Sequence, residues 1–184
     1  MRCFIALGLV PEPGPSLESG LRSLRAFREL SVPPAENLHV TLAFMGDLAE
    51  GDVGAASDAL KVAAVAAGGS WKVTWGSTGA FPSMERPRVI WLGLAEPEVT
   101  VTVQGLLMAE LRSRRLPADE RPFRAHLTLA RVRRALSRER GEALVAAMGT
   151  IANPVPATVE ALVLYRSTPG REGSVYQELA RAAL

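Results

Sequence analysis

The chain has 184 residues, of which 48% are hydrophobic and 22% charged, and a formal net charge of +2. This length and composition indicate a globular chain with a sizeable core and exclude a disordered or fibrous protein. The single cysteine, Cys3, excludes an internal disulfide framework and a cysteine-based metal cluster, and we expect it to be buried in the first strand. No apolar run in the sequence is long enough for a membrane-spanning helix, so we expect a cytoplasmic protein.

Alternation and helical spacing of apolar residues predict strands and helices along the whole chain. In the first half, the pattern predicts a strand at 2–9, a helix at 16–30, a strand at 37–45, a helix at 51–67 and strands at 71–79 and 88–94. In the second half, it predicts helices at 97–114 and 137–149, the latter capped by Ser137, and strands at 124–132, 157–166 and 174–182. This order favours an α+β fold with mostly antiparallel pairing.

The chain contains two histidines, and both stand in the pattern His-apolar-Thr-apolar. The first motif is His39-Val40-Thr41-Leu42 and the second is His126-Leu127-Thr128-Leu129. Because alternate side chains of a strand face opposite sides, the histidine and threonine of each motif share one face, about 6 to 7 Å apart. If the two strands lie side by side or across a groove, two imidazoles and two hydroxyls surround one small ligand.

These groups are typical of acid–base catalysis at a phosphate. The unperturbed imidazole pKa is about 6.5, so one histidine can accept a proton while the other donates one. The threonine hydroxyls can donate hydrogen bonds to phosphoryl oxygens, and Arg131 can hold the phosphate if its strand ends or twists there. No Asp or Glu stands close to either histidine on the same face. We therefore expect neither a metal ion nor a cofactor.

Positive charge is concentrated in residues 111–140, where ten arginines stand against three acidic residues. Such a segment is typical of a surface that meets a phosphate-bearing partner, and equally of a solvated helix and loop surface. Five arginines are candidates for guiding an RNA backbone: Arg112, Arg114, Arg115, Arg121 and Arg124.

Over nearly its whole length, the chain resembles the RNA 2′,3′-cyclic phosphodiesterases, also called 2′-5′ RNA ligases, of the 2H phosphoesterase superfamily. The two histidine motifs, in residues 37–46 and 122–131, carry most of the resemblance. Further matching segments are residues 2–7, 79–83, 87–94, 164–167 and 173–176. One departure is Ala125, where the family often has proline.

The resemblance implies a bilobal α+β fold in a single domain, 1–184, with two pseudo-symmetric lobes. Each lobe has an antiparallel sheet and outer helices, and a groove lies between the sheets. The implied reaction is metal-independent hydrolysis of RNA 2′,3′-cyclic phosphate ends to 2′-phosphomonoesters. His126 would be the base that activates water, His39 the acid that protonates the departing 3′ oxygen, and Thr41 and Thr128 the phosphate contacts. A ribose hydroxyl in place of water would give ATP-independent 2′-5′ ligation.

Several aromatic and polar residues are weaker candidates. Phe44 is a candidate for base stacking, although its register favours packing in the core. Tyr165 and Ser167 are candidates for the groove edge, whereas Phe81 and Trp91 are interpreted as structural.

Two other functions stay open beside the enzyme. One is an RNA- or nucleotide-binding module without turnover, and the other is a phosphodiesterase for small cyclic nucleotides or ADP-ribose cyclic phosphate. In each case we expect a monomer that does not bind a membrane.

Overall fold

The computed structural model describes residues 1–170 and 173–184. Its elements in chain order are β1 (Arg2–Val10), α1 (Gly14–Arg25), β2 (Leu30–Ser31), β3 (Thr41–Asp47), α2 (Val53–Ala67), β4 (Trp71–Val73), β5 (Trp75–Phe81), β6 (Val89–Leu94), α3 (Glu98–Ser113), β7 (His126–Val132), α4 (Arg138–Gly149), β8 (Ala157–Pro169) and β9 (Ser174–Ala183). None of the helices in the described part of the chain has the length and apolar character needed to cross a membrane.

Two antiparallel sheets, which we call sheet A and sheet B, form the two lobes. Sheet A has the order β3-β1-β8-β4, with β9 also paired to β8, and sheet B has the order β2-β7-β6-β5. Helices α2 and α3 pack on sheet A, while α1 and α4 pack together beside sheet B. The predicted α+β fold with two antiparallel sheets and outer helices is confirmed.

The two faces of β1 have different surroundings because its residues alternate. Cys3, Ile5 and Leu7 are buried in the main core. Phe4 and Ala6 are also buried, but they point to the opposite face, away from that core. Sheet A is therefore apolar on both faces at its centre, and its second face takes part in the site described below.

One predicted strand, 71–79, is divided between the two lobes. β4 pairs with β8 in sheet A, whereas β5 pairs with β6 in sheet B, and Thr74 lies between them. Alternation identifies extended chain, but it does not identify the partner strand, so the crossing at Thr74 was missed.

The first helix is shorter than predicted, ending at Arg25 instead of residue 30. Leu30 and Ser31 are not part of the helix, because they form a short strand that pairs with Val132 and Arg131 at the edge of sheet B. The predicted cap of the last helix is confirmed, since the Ser137 side chain accepts a hydrogen bond of 3.3 Å from the backbone N–H of Arg140.

Candidate active site

The two histidine motifs lie next to each other at the junction of the two sheets. Val40, in the middle of the first motif, forms an antiparallel bridge with Leu127, in the middle of the second. Both bridge residues are fully buried, so their neighbours in the chain point to the opposite face. Antiparallel pairing places His39 beside Thr128, and Thr41 beside His126. The sequence prediction that all four side chains meet at one place agrees with this geometry.

An extra residue in β3 changes which side chains face this site. Thr41 pairs with Ala6 and Ala43 pairs with Ile5, so Leu42 has no partner in β1. Leu42 and Ala43 are consecutive and both buried, which reverses the alternation of the strand. Phe44 consequently lies on the same face of the strand as Thr41. The prediction that Phe44 packs in the core, which the regular alternation favours, is therefore wrong. The guanidinium carbon of Arg2 lies 5.1 Å from the ring centre of Phe44.

The same irregularity occurs in β7. Thr128 pairs with Trp91 and Ala130 pairs with Ile90, which leaves Leu129 without a partner in β6. Leu129 and Ala130 are both fully buried. Arg131 therefore lies on the same face of the strand as Thr128, as its predicted contact with a phosphate requires.

Both imidazoles are oriented by a hydrogen bond to their own chain. Nδ1 of His39 lies 2.7 Å from the carbonyl oxygen of Asn37, and Nδ1 of His126 lies 2.6 Å from that of Arg124. A carbonyl oxygen only accepts, so Nδ1 of each ring donates and carries the proton. In the neutral rings, Nε2 is left with its lone pair free to take a proton.

Aromatic rings enclose the imidazole of His39. Phe4 stacks on it with ring centres 4.6 Å apart, and Tyr176 meets it edge-on at 5.2 Å. Tyr165 in turn stacks on Phe4 at 5.3 Å.

The imidazole of His126 has a corresponding shell in sheet B. Phe81 meets it edge-on at 5.1 Å, and the Trp91 ring centre lies 6.5 Å away. A Cβ added at Gly79 would lie 2.3 Å from Trp91, so only glycine leaves room for the indole against the sheet. The indole nitrogen of Trp91 is buried, with no hydrogen-bond partner among residues 1–170 and 173–184.

Burial and positive charge lower the pKa of both histidines. Desolvation of the charged form is the main cause in each case. The positive charge of Arg131 lowers the pKa of both rings, Arg124 adds to the effect on His126, and His126 adds to the effect on His39. Both effects therefore favour the neutral form of each histidine in the free protein.

Carboxylates neutralise part of the basic segment. Arg112 pairs with Glu120, Arg114 with Glu110 and Arg121 with Asp119. Within the described ranges, Arg124 and Arg131 form no ion pair, and Arg124 lies over the rings of Phe81 and Trp91, 5.8 and 5.5 Å from their centres. Arg124 and Arg131 therefore keep a positive charge near the histidines, whose pKa they lower.

A cavity of about 270 Å³ opens beside His126. Its walls come from β5, β6, the start of α3 and residues 123–126: Ser77, Phe81, Trp91, Gly93, Leu94, Pro97, Val101, Phe123, Arg124, Ala125 and His126. No group of three or more His, Cys, Asp or Glu side chains is placed to hold a metal ion in the part of the chain that the structure describes.

A family model for the 2′-5′ RNA ligase superfamily matches residues 13–171. The chain belongs to this superfamily. Its curated relatives include the RNA 2′,3′-cyclic phosphodiesterase of Archaeoglobus fulgidus, 28% identical over 134 residues, which are 73% of this chain and 74% of that protein. The RNA 2′,3′-cyclic phosphodiesterase of Thermus thermophilus is 32% identical over 143 residues, 71% of this chain and 68% of that one.

Among solved structures, E. coli LigT complexed with 3′-AMP matches with a TM-score of 0.75 and 25% identity, covering 100% of this chain and 97% of that one. The bilobal fold expected from the resemblance to the superfamily is thereby confirmed.

Four aromatic residues at the site of this superfamily member were missed or interpreted differently from the sequence. Phe81 and Trp91 were interpreted as structural, but both lie near His126. Phe4 and Tyr176 were not singled out, although Phe4 stood on the face of β1 opposite Ile5 and Leu7. An aromatic side chain on the non-core face of a buried strand was the signal that could have identified Phe4.

Proposed function

We propose that this protein is a metal-independent RNA 2′,3′-cyclic phosphodiesterase that hydrolyses cyclic phosphate ends to 2′-phosphomonoesters. The bridge between Val40 and Leu127 carries the proposal, because it sets both His-x-Thr motifs on one face. The curated relatives named RNA 2′,3′-cyclic phosphodiesterase support the same substrate class. One chain supplies both histidines, so we also propose that a monomer is active.

His126 is the general base in this proposal and His39 the general acid. Two arginines, Arg124 and Arg131, disfavour the charged form of His126, which suits a ring that must stay neutral to accept a proton. Nε2 of His126 takes a proton from water as the oxygen attacks phosphorus. The bond from phosphorus to the 3′ oxygen breaks, and that oxygen takes the proton from Nε2 of His39.

The phosphate is held by the threonines and Arg131. Thr41 and Thr128 lie on the same face as the two imidazoles. Their hydroxyls donate hydrogen bonds to the non-bridging oxygens, on which negative charge grows in the transition state. Arg131 adds a positive charge on the same face.

Substrate binding favours the protonated form of His39, which the role of general acid requires. In the free protein, burial and Arg131 lower the pKa of His39 and so favour its neutral form. A bound phosphodiester anion beside the ring raises the pKa of His39, so a proton is taken up with the substrate. Phe44, in reach of Arg2, is placed to stack on a base next to the cyclic phosphate.

The test uses an oligoribonucleotide that ends in a 2′,3′-cyclic phosphate, incubated in excess EDTA. We expect a 2′-phosphate product, and we expect His39→Ala and His126→Ala each to lower the rate by about 10²- to 10⁴-fold. Comparison with a 2′,3′-cyclic mononucleotide separates an RNA enzyme from one for small cyclic nucleotides. Tight binding without any product from the wild-type protein would instead identify a binding module and refute the proposal.

A further inference from the structure

Asn37 contacts two distant parts of the chain that meet beside His39. It is the last residue of a short 3-10 helix, Ala35–Asn37. Its carbonyl oxygen accepts the hydrogen bond from Nδ1 of His39, at 2.7 Å. Its side-chain Nδ2 donates a second hydrogen bond, also of 2.7 Å, to the carbonyl oxygen of Ser174, the first residue of β9. One residue thus connects the first histidine motif to a strand that begins 137 residues further along the chain.

The same strand supplies one wall around the imidazole of His39. Tyr176 follows Ser174 by two residues, so both lie on one face of β9. The Tyr176 ring meets the His39 ring edge-on at 5.2 Å and the Phe4 ring at 5.0 Å, and Phe4 itself stacks on His39. The hydrogen bond from Asn37 therefore sets the distance between the strand that carries Tyr176 and the chain that carries His39.

The side chain at the equivalent position of the second motif makes a different contact. Arg124 stands two residues before His126, and its carbonyl oxygen likewise accepts from Nδ1 of that ring, at 2.6 Å. Its side chain, however, lies over the rings of Phe81 and Trp91. The side-chain connection to a distant strand thus distinguishes the first motif, whose histidine is assigned above to the acid.

A fixed carbonyl at Nδ1 helps a histidine to act as an acid in two ways. It holds the ring in the rotation that directs Nε2 at the leaving oxygen, and it favours the imidazolium, which donates from both nitrogens. Burial, Arg131 and His126 lower the pKa of His39, and the hydrogen bond to Asn37 opposes them. Tyr176, which faces the ring from β9, stays neutral because burial raises the pKa of its phenol.

We propose that Asn37 is a positioning residue for the general acid, because its side-chain amide fixes β9 against the carbonyl that orients His39. The inference rests on the proposed function, since it uses the same acid. Asn37 acts through His39 and transfers no proton itself. Without the amide, the 3-10 helix and the start of β9 can separate, and the ring of His39 loses its fixed direction. The 3′ oxygen then departs without efficient proton transfer.

The two asparagines of the chain, Asn37 and Asn153, provide a matched pair of variants. Nδ2 of Asn153 donates a hydrogen bond of 3.1 Å to the carbonyl oxygen of Trp75, which lies at the opposite end of β5 from Phe81. Asn37→Ala and Asn153→Ala therefore remove the same kind of bond, from an amide to a distant backbone carbonyl. Asn37→Asp keeps the shape of the side chain and removes only the donor.

The experiment measures kcat and KM in EDTA for two substrates. One is an oligoribonucleotide that ends in a 2′,3′-cyclic phosphate. The other has sulfur in place of the 3′ oxygen, so the bond from phosphorus to sulfur breaks and a thiolate departs. A thiol has a pKa of about 8.5, so this leaving group needs no proton from His39.

We expect a selective loss on the oxygen substrate. Asn37→Ala and Asn37→Asp should lower its kcat about tenfold or more, with little change in KM, and should keep a kcat close to that of wild type on the sulfur substrate. His39→Ala should show the same selectivity, whereas Asn153→Ala should match wild type on both substrates. In Asn37→Ala, the basic limb of the pH profile should move to lower pH, because the bond that opposes the lowering of the His39 pKa is weakened. Activity on the sulfur substrate also shows that the variants fold.

Three results would overturn the inference while leaving the proposed function intact. In the first, both Asn37 variants hydrolyse the oxygen substrate as fast as wild type. In the second, they lose the same factor on both substrates, which would make the role of Asn37 merely structural. In the third, Asn153→Ala shows the same selective loss. A wild-type protein that does not hydrolyse the oxygen substrate, or a His39→Ala variant that hydrolyses it at the full rate, would refute the proposed function itself.

Discussion

Replacing Arg131 with methionine tests the electrostatics of the site most directly. Arg131 lies on the face of Thr128 because of the extra residue at Leu129, and its charge lowers the pKa of both histidines. A hydrogen bond to a charged group contributes about 2 kcal/mol, so we expect kcat/KM to fall about 30-fold. Methionine keeps much of the length of the side chain but removes the charge.

The pH profile of Arg131→Met gives a second, independent readout. Removing the cation raises the pKa of His39 and of His126, because their charged forms are no longer repelled. The base then loses its proton at a higher pH and the acid keeps its proton to a higher pH. The bell-shaped profile of kcat/KM should therefore move as a whole to higher pH.

Two further variants separate charge from shape. Arg131→Lys keeps the charge, so its pH profile should stay close to that of wild type, while the loss of the planar guanidinium lowers kcat/KM. Arg134→Met removes the same charge from an exposed residue three positions further on and should change neither quantity. If Arg131→Met had the kcat/KM and pH profile of wild type, the placement of Arg131 at the phosphate would be refuted.

Three other changes test the remaining parts of the site. Thr41→Val and Thr128→Val should each lower kcat/KM about tenfold, the equivalent of about 1.5 kcal/mol for one lost hydrogen bond to a charged oxygen, whereas equal activity would exclude these hydroxyls as phosphate contacts. Gly79→Ala should lower the free energy of unfolding in urea by about 1 to 3 kcal/mol, because the new Cβ displaces the Trp91 ring, while Gly105→Ala in the open middle of α3 should not destabilise the protein. Because burial lowers the pKa of His39, the unfolded chain takes up a proton at a higher pH than the folded protein does. The free energy of unfolding should therefore decrease as the pH is lowered through about 6.5, and it should decrease less steeply in His39→Gln.

Most strands and helices could be predicted from the sequence, because their residues follow the periods of two and 3.6. The pairing of the strands could not. The segment 71–79 reads as one strand, but β4 and β5 belong to different sheets. The partner of an edge strand depends on packing between distant parts of the chain, which local alternation does not record.

The faces of the site residues were predictable only as far as the alternation continued. His39, Thr41, His126 and Thr128 follow it and lie where it places them. After each threonine, the next two residues, a leucine and an alanine, are both buried, so the alternation of buried and site-facing residues reverses. Two consecutive apolar residues are compatible with a regular strand as well as with a bulge, so the sequence does not decide the face of the residue that follows.

The difference between the surroundings of His39 and His126 arises at equivalent positions of two similar motifs. His39-Val40-Thr41-Leu42-Ala43 and His126-Leu127-Thr128-Leu129-Ala130 share the same bulge, and each histidine bonds the carbonyl of the residue two before it. The backbone around the two imidazoles is therefore the same.

The side chains at those equivalent positions distinguish the two imidazoles. Five residues after the histidine, the first motif has Phe44 and the second has Arg131; two residues before it, the first has Asn37 and the second has Arg124. Both arginines lower the pKa of His126, which favours a neutral ring that accepts a proton. Arg131 also lowers the pKa of His39, so the charge that distinguishes His126 is that of Arg124. Replacing Arg124 with asparagine, the residue at this position of the first motif, should raise the pKa of His126, and the acidic limb of the pH profile should move toward the basic limb. Limbs that stay as far apart as in wild type would show that another feature separates the acid from the base.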